Sequence, residues 1–274
     1  MFRIDNCIIR LSRPGDKAGL LEVAKTIWQG SDYLPQIIDR WIKERWFFVA
    51  EYQGKVIGCI KLTQFPDKVI WIEGLRVHRR YQSKGVGTLL NDYIMQFCYR
   101  LQDKDTGRRF EFCTYYRNME SLRMTSKLGF KQVCSFFNLD SKGSFKMRAS
   151  EIVTDYDMSI LELYPDYIPI GWQSVHNCPE SLDFIRQHAI VFKTNQALYL
   201  INRFGSKAVT YLGPPVQDLA AEQPFLQYFF GHRRDISIIL PTSQRAELPR
   251  LKELGYWFWD NETEPVENML VKKL

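Results

Sequence analysis

The feature that most constrains this chain is a strand-like apolar run that leads through a glycine-bearing loop into a helix-like run. The first run is Val69–Val77, and the loop that follows contains Gln82, Gly85 and Gly87. Beyond the loop, apolar residues recur at helical spacing, at Val86, Leu89, Leu90, Tyr93, Ile94 and Phe97. The pattern predicts a strand that passes through a tight loop into the first turn of an amphipathic helix.

A loop of this kind is suited to bind a phosphate. The free N–H groups at a helix start converge on one point, and the helix dipole adds positive potential there. Gly85 and Gly87 let an anion approach the backbone because they have no Cβ. The spacing matches neither a Walker loop nor a complete GxGxxG fingerprint, and a lone GxG is usually only a turn. Basic residues around the loop nevertheless favour a phosphate site, namely Arg76, Arg79, Arg80 and Lys84.

The first part of the chain reads as an alternation of short elements. We predict one helix capped by Asp16 that runs to about Trp28, and a second over residues 35–44. The remaining predicted elements are strands at 8–11, 46–52, 56–62, 69–77, 110–115 and 132–139, and helices after the glycine loop and near 119–128. The order βααβββαβαβ predicts an α+β domain with a mixed sheet.

The second part of the chain also alternates predicted strands and helices. We place the boundary near residue 150, so that the two domains are 1–150 and 151–274. Strands are predicted at 189–193, 197–202, 207–212 and 236–240, and helices at 219–230 and 244–254. Ser126–Phe130 and Lys252–Tyr256 are both helix ends in which a glycine is followed by an aromatic residue. A degenerate copy of the first domain and an unrelated smaller α+β lobe both fit this pattern.

The second part lacks the glycine loop. Pro214-Pro215-Val216-Gln217 stands where a copy would have it, and proline offers no N–H to a phosphate. We therefore expect no cofactor in this lobe.

Composition narrows the class of protein. The 274 residues carry a net charge of +6, which suits either a nucleic acid or a polyanionic small molecule. The sequence has no zinc-finger spacing and no basic recognition helix, so nucleic acid is not the expected partner. Nothing approaches the ~18 apolar residues of a membrane span, and charges interrupt the first residues where a signal peptide would be apolar. We expect a cytoplasmic protein.

The six cysteines include no CxxC pair, and the four histidines are dispersed. Most of the cysteines lie in apolar runs, where cysteine behaves as a small buried hydrophobe. We therefore expect reduced thiols and no metal.

The motif Gln82-x-x-Gly85-x-Gly87 resembles the acetyl-CoA signature of the GNAT superfamily of N-acyltransferases. Leu75-Arg76-Val77 resembles the fourth strand of that family, and Asn118-x-x-Ser121 followed by Lys127–Phe130 resembles its second cofactor segment. The resemblance covers residues 7–140 and implies an acyltransferase with acetyl-CoA as co-substrate. Shorter segments, Gly30–Pro35, Trp41 and Glu73–Val77, are similar to the histidine N-acetyltransferase group and suggest an amino-acid amine as acceptor.

The resemblance also assigns the cofactor-binding residues. The backbone of Leu75 and Val77 would pair with the pantetheine arm, and the Val77 N–H would polarise the thioester carbonyl. The full predicted set is Leu75, Arg76, Val77, Gln82, Ser83, Lys84, Gly85, Val86, Gly87, Thr88, Asn118 and Ser121. For Asn118, capping the following helix is an additional role.

On the acceptor side the resemblance points to three residues. Glu73, predicted on the same face as Leu75, is the candidate general base, with a structural role at a strand bulge as the alternative. Asp32 and Tyr33 lie in the loop that borders the acceptor pocket in this superfamily, and Asp32 could instead cap the second helix. Trp28 and Trp41 are expected in the core, and His78 on the surface.

The general acid is unassigned by the sequence. Many members of the superfamily have a tyrosine where this chain has Thr125, whose hydroxyl is a weaker acid. Tyr115, Tyr116, Tyr33 and solvent are the alternatives.

Three functions are consistent with these patterns. They are acetylation of a small primary amine, acetylation of a protein or peptide amine, and non-catalytic sensing of acyl-CoA. The predicted partners are a small-molecule amine and, as a homodimer, a second copy of the chain.

Overall fold

A computed structural model describes residues 2–30, 32–100, 109–142, 151–193, 197–203, 208–213, 235–253, 255–260 and 262–274. The chain divides into two compact units, Met1–Glu111 and Phe112–Leu274. The predicted domain boundary near residue 150 stays a prediction. Within the described residues, no helix combines the length and the hydropathy that a membrane crossing requires.

The first unit is built on an antiparallel meander. Strands β1 (Cys7–Leu11), β2 (Phe47–Tyr52), β3 (Lys55–Gln64) and β4 (Ile70–Val77) pair in that order. The start of β5 (Phe110–Tyr115) then pairs with β4 in parallel, through Ile70 with Phe110 and Trp71 with Glu111. The sheet of the first unit is therefore mixed, as the sequence predicted.

Helices pack on the sheet of the first unit. They are α1 (Lys17–Lys25), α2 (Leu34–Lys43) and α3 (Val86–Arg100). One core cluster joins α1 and α2 to β2 and β3, and it includes Leu20, Ile38, Trp41, Phe47 and Cys59. On α3, Val86, Leu90 and Ile94 are buried, as the helical spacing predicted, whereas Leu89, Tyr93 and Phe97 of the same predicted stripe are half-buried.

The first predicted helix was too long at its C-terminal end. It ends at Lys25, and residues Trp28–Gly30 form a separate 3-10 turn. Asp16 does not cap it, because the carboxylate binds the Arg10 guanidinium through two bonds of 2.7 Å instead.

The second unit contains the end of β5, helix α4 (Met119–Lys127) and a seven-strand order of its own. The strands are β6 (Lys131–Lys142), β7 (Glu151–Val153), β10 (Ala189–Lys193), β11 (Leu198–Asn202), β12 (Ala208–Gly213), β13 (Asp235–Pro241) and β15 (Met269–Lys273), in the order β15-β6-β13-β12-β11-β10-β7. A separate hairpin is formed by β8 (Tyr167–Ile170) and β9 (Gln173–His176). Helices α5 (Ser181–His188) and α6 (Leu248–Glu253) and the short strand β14 (Tyr256–Trp257) complete it.

The two units share a succession of strand pairings. In the first, three antiparallel pairings from β1 to β4 are followed by the parallel pair β4–β5. In the second, three antiparallel pairings from β7 through β10 and β11 to β12 are followed by the parallel pair β12–β13. Helices α4 and α6 both end at a glycine with positive φ, Gly129 and Gly255, before an antiparallel strand. This succession supports the prediction that the second part is a degenerate copy of the first.

Some predictions for the second unit were incomplete or untested. The predicted helix 244–254 is a 3-10 segment, Thr242–Glu247, followed by the short helix α6. The sequence patterns missed β7, β8, β9, α5 and β15. The predicted helix 219–230 and the Pro214–Gln217 segment lie outside the described residues.

Candidate functional site

The C-terminal end of β4 presents backbone groups away from β3. The His78 N–H donates to the Ile57 carbonyl at 2.8 Å. Because hydrogen-bonded and non-bonded pairs alternate in an antiparallel ladder, the neighbouring Val77, paired with Gly58, turns its N–H and C=O outward. The recorded β4–β5 pairing involves only Ile70 and Trp71 of β4. The Val77 N–H is therefore placed as a donor at the edge of β4, where the resemblance expects the thioester.

The loop after β4 has the backbone conformation of a tight anion-binding turn. Ser83 and Gly85 have φ angles of +57° and +85°, and α3 begins at Val86. The first bond of the helix runs from the Leu89 N–H to the Gly85 carbonyl at 2.9 Å. In the described part of the chain, the N–H groups of Val86, Gly87 and Thr88 have no backbone acceptor. These three donors form the start of a helix that can receive a phosphate.

The two loop glycines differ in how strongly the structure requires a glycine. At Gly85 the positive φ disfavours any side chain, although an added Cβ would meet only Ile4, at 3.9 Å. At Gly87 an added Cβ would make an ordinary contact of 3.8 Å with Val77 Cγ2, and the backbone is not in the left-handed region. Backbone conformation thus demands glycine at position 85 only.

Side chains of the loop are largely exposed, and one of them is already engaged. The Gln82 Nε2 donates to the Val77 carbonyl at 3.0 Å, which ties the loop to the strand. Lys84 Nζ lies 5.7 Å from the ring centroids of both Phe2 and Tyr81. Arg79, Arg80 and Lys84 are exposed and can supply positive charge to the loop.

Arg76 does not belong to this exposed basic cluster, which corrects the sequence-based expectation. Its side chain is 8% exposed, and its guanidinium binds the Asp32 carboxylate in a fork, with Nε–Oδ2 at 2.9 Å and Nη2–Oδ1 at 3.1 Å. Asp32 also accepts from the Leu34 N–H at 3.2 Å, so it serves the start of α2 as well. The charges of Arg76 and Asp32 are therefore committed to each other.

Two aromatic rings flank the Arg76 guanidinium. Its Cζ lies 4.7 Å from the Trp28 ring centroid and 4.9 Å from that of Tyr33. Trp28 has a φ of +44°, unusual for a bulky residue, and its side chain is 59% exposed. The prediction that Trp28 belongs to the core was therefore wrong, whereas Trp41 is buried as predicted.

Glu73 lies on the same face of the sheet as Arg76. On β4, Glu73 pairs with Lys61 of β3, and Arg76 pairs with Cys59 of β3. Cys59 and Lys61 are two residues apart on β3, so their side chains point to the same face. Directly paired residues share a face of the sheet. Because a bulge lies between the two pairs, Glu73 and Arg76 are on one face of the sheet and Leu75 is on the other. The prediction that Glu73 and Leu75 share a face was wrong. The Thr63 hydroxyl donates to Glu73 Oε1 at 2.6 Å.

Two of the candidate general acids, Tyr33 and Tyr115, have raised pKa values. Burial raises the pKa of Tyr33. Burial, together with a hydrogen bond from its own hydroxyl to the Asp260 carboxylate, raises the pKa of Tyr115, and Tyr116 donates to the same carboxylate at 3.2 Å. The Thr125 hydroxyl donates to the Ser121 carbonyl at 2.8 Å. The structure therefore does not assign the general acid among Tyr33, Tyr115, Tyr116 and solvent.

Asn118 caps α4, as predicted. Its side-chain oxygen accepts from the Ser121 N–H at 3.3 Å. The amide nitrogen of Asn118 is exposed to solvent along with the rest of the residue. A role toward pantetheine stays a prediction for both Asn118 and Ser121.

All six cysteines are free thiols. Burial raises the pKa of Cys59 to about 12. Among the residues that the structure describes, no group of three or more His, Cys, Asp or Glu side chains is placed to hold a metal ion.

The mixed sheet, the outward Val77 N–H and the glycine loop at the start of α3 can be compared with proteins of known structure. The chain superposes over nearly its full length on two solved structures. A candidate acetyltransferase of Thermoplasma acidophilum has a TM-score of 0.66 and 15% identity, covering 97% of this chain and 99% of that one. A GCN5-related N-acetyltransferase of Sphaerobacter thermophilus has a TM-score of 0.60 and 12% identity, covering 98% and 96%. At these identities the likeness establishes the fold alone.

Sequence comparison finds a family likeness in the N-terminal segment. Residues 20–130 match the acetyltransferase (GNAT) family model. An uncharacterized N-acetyltransferase of Chlorobaculum tepidum is 31% identical over 87 residues, which cover 31% of this chain. The match spans only 56% of that relative's length. The segment 20–130 is therefore similar to the GNAT acetyltransferase family.

Proposed function

We propose that this protein is an N-acyltransferase that transfers the acetyl group of acetyl-CoA directly to a primary amine. The observation that carries the proposal is the row of unbonded N–H groups at Val86, Gly87 and Thr88, next to the outward N–H of Val77. The helix start would bind the pyrophosphate, and the strand edge would bind the pantetheine and the thioester. The GNAT family match over residues 20–130 supports the same reading.

The chemistry requires few groups. The amine nitrogen attacks the thioester carbonyl carbon, the new C–N bond forms, and the C–S bond breaks to release CoA as a thiolate. The Val77 N–H would stabilise the negative charge that develops on the carbonyl oxygen. Glu73 would accept the amine proton through water, and solvent would protonate the thiolate.

The proposed acceptor is a small primary amine, with the α-amine of an amino acid as the first to test. The short segments Gly30–Pro35 and Glu73–Val77 motivate this choice. The weak acidity of Tyr33 and Tyr115, together with Thr125, favours a non-catalytic acyl-CoA sensor as the second candidate.

An acetyl-CoA thiol-release assay against a panel of amines tests the proposal. Turnover on free amino acids or other small amines supports it, and turnover only on peptides assigns a macromolecular acceptor instead. Acetyl-CoA binding by calorimetry without turnover on any amine would leave the sensor function and overturn the enzyme.

A further inference from the structure

Arg76 stands in the segment that matches the cofactor-binding strand, yet its contacts are all on the other side of the site. The guanidinium carries two charge-assisted bonds to Asp32, and its Nη1 donates to the Leu75 carbonyl at 3.1 Å. Buried in this way, it offers no fork to a phosphate. Its partners belong to the loop between α1 and α2, residues 26–33.

Two further contacts of this loop are made outside the sheet. Thr26 Oγ1 accepts from the Arg79 N–H at 3.1 Å, and Tyr33 packs edge-on against Trp41 with centroids 6.3 Å apart. Arg76 contacts the loop at three points, because it pairs with Asp32 and lies over the rings of Trp28 and Tyr33. A planar guanidinium can form the ion pair and stack on the rings at the same time, because its edge donates the two hydrogen bonds and its faces contact the aromatic rings.

The clamped loop lies beside Glu73. Register places Glu73 on the same face as Arg76, and the Tyr33 hydroxyl is close enough to both residues for their charges to influence its pKa. Glu73 is in turn held by Thr63. Tyr33 of the loop and Glu73 therefore lie on the same side of β4.

We propose that Arg76 is a positioning residue of the acceptor side, which clamps Trp28, Asp32 and Tyr33 in place on the face of β4 that carries Glu73. Its effect on the amine rests on the proposed acetyltransferase function; the clamp itself does not. Loss of the clamp loosens the loop and weakens binding of the amine, whereas the acetyl-CoA loop at 82–88 is unaffected.

Arg76→Lys is the sharpest test, because lysine keeps the charge but has neither the fork nor the planar face. Arg10→Lys is the matched control. Arg10 forms an equivalent fork on the buried Asp16, with both bonds at 2.7 Å, in the same unit but on β1. If Arg76→Lys does not fold, Asp32→Asn removes the partner charge and keeps the shape of the side chain.

Two readouts separate the clamp from the proposed function. Hydrogen exchange of the 26–33 amides in the free protein is expected to accelerate about tenfold or more in Arg76→Lys and not in Arg10→Lys. In steady-state kinetics, the KM for the amine is expected to rise about tenfold while the KM for acetyl-CoA stays within about twofold. Unchanged exchange overturns the clamp whether or not the protein is active. If the KM for acetyl-CoA rises instead, Arg76 acts in cofactor binding and the proposal is wrong.

Discussion

Glu73, on the α1–α2 face of β4, is the carboxylate that we propose accepts a proton from the amine. Its Oε1 accepts from Thr63, and Lys61, its direct partner on β3, is buried and bonded to the Arg45 carbonyl at 2.9 Å. Both neighbours are compatible with an ionised carboxylate. The side chain is half-buried, so water can connect it to an incoming amine.

Replacing Glu73 by glutamine tests its role. The amide cannot accept a proton, so we expect kcat to fall about 100-fold or more, as general-base removal usually does. Acetyl-CoA affinity, measured by calorimetry, should be unchanged. Glu51→Gln is the control, since Glu51 is a similarly half-buried carboxylate whose partner is Arg10, at 2.8 Å. A Glu73→Gln enzyme that turns over like wild type would remove Glu73 from the reaction.

For individual residues, the sequence predicted which side chains lie near one another more accurately than it predicted the role of each side chain. Asp32, Tyr33 and Glu73 were selected as one side of the site, and the structure places all three around Arg76. The role of Arg76 was wrong because a basic residue beside a phosphate loop reads as a phosphate ligand. Its ion pair with Asp32 joins residues 44 positions apart, and no local pattern reveals such a contact.

The β4 bulge sets the geometry of the acceptor side. Gly74 has a φ of +69°, and a Cβ there would lie 2.5 Å from the Trp41 ring. The strand therefore needs glycine both for its backbone conformation and for the close approach of α2.

Gly74→Ala should be strongly destabilising for this reason. We expect a loss of about 2–4 kcal/mol in the free energy of unfolding, from backbone strain plus overpacking. Gly54→Ala provides the comparison, because Gly54 has a similar φ of +73° and no atom within 4 Å of the added Cβ. That control should lose only about 1 kcal/mol. Equal losses in denaturant titrations would show that the approach of Trp41 is not tight.

Helix α4 carries a prediction of its own, at Asn118. Asn118→Ala removes the cap on the Ser121 N–H and should cost about 1 kcal/mol of stability. Asn118→Asp keeps an acceptor at the cap and should retain stability, but it loses the amide N–H₂. If Asn118 also binds pantetheine, both variants raise the KM for acetyl-CoA. An aspartate variant with the wild-type KM would restrict Asn118 to capping.

Elements with strong local periodicity were predicted well, and those defined by long-range pairing were not. The βααβββαβαβ order of the first part is confirmed, because each element has its own apolar period and turn. β15 was missed because its partner, β6, lies more than a hundred residues earlier in the chain. The bulge in β4 was also invisible, since it depends on the register with β3.

For the whole molecule, the repeated succession of strand pairings indicates a duplicated architecture with divided roles. The first unit has the glycine loop, whereas the corresponding segment of the second has Pro214 and Pro215. Two prolines remove two of the N–H groups that would hold a phosphate. We therefore expect one cofactor site per chain, in the first unit.

Stoichiometry tests this asymmetry. Calorimetric titration with acetyl-CoA should give one molecule bound per chain. Two equivalent molecules per chain would mean that the second unit also binds the cofactor, and that the prolines do not prevent it.

We propose that the Gln82–Thr88 loop binds the pyrophosphate of acetyl-CoA, and a Gly85→Val variant tests this role. Valine there obstructs the anion and opposes the φ of +85°, whereas Gly54→Val imposes comparable strain, at φ +73°, in the β2–β3 turn. Calorimetric titration with acetyl-CoA should show wild-type affinity for Gly54→Val and no measurable binding for a folded Gly85→Val. Wild-type affinity in Gly85→Val would contradict the account.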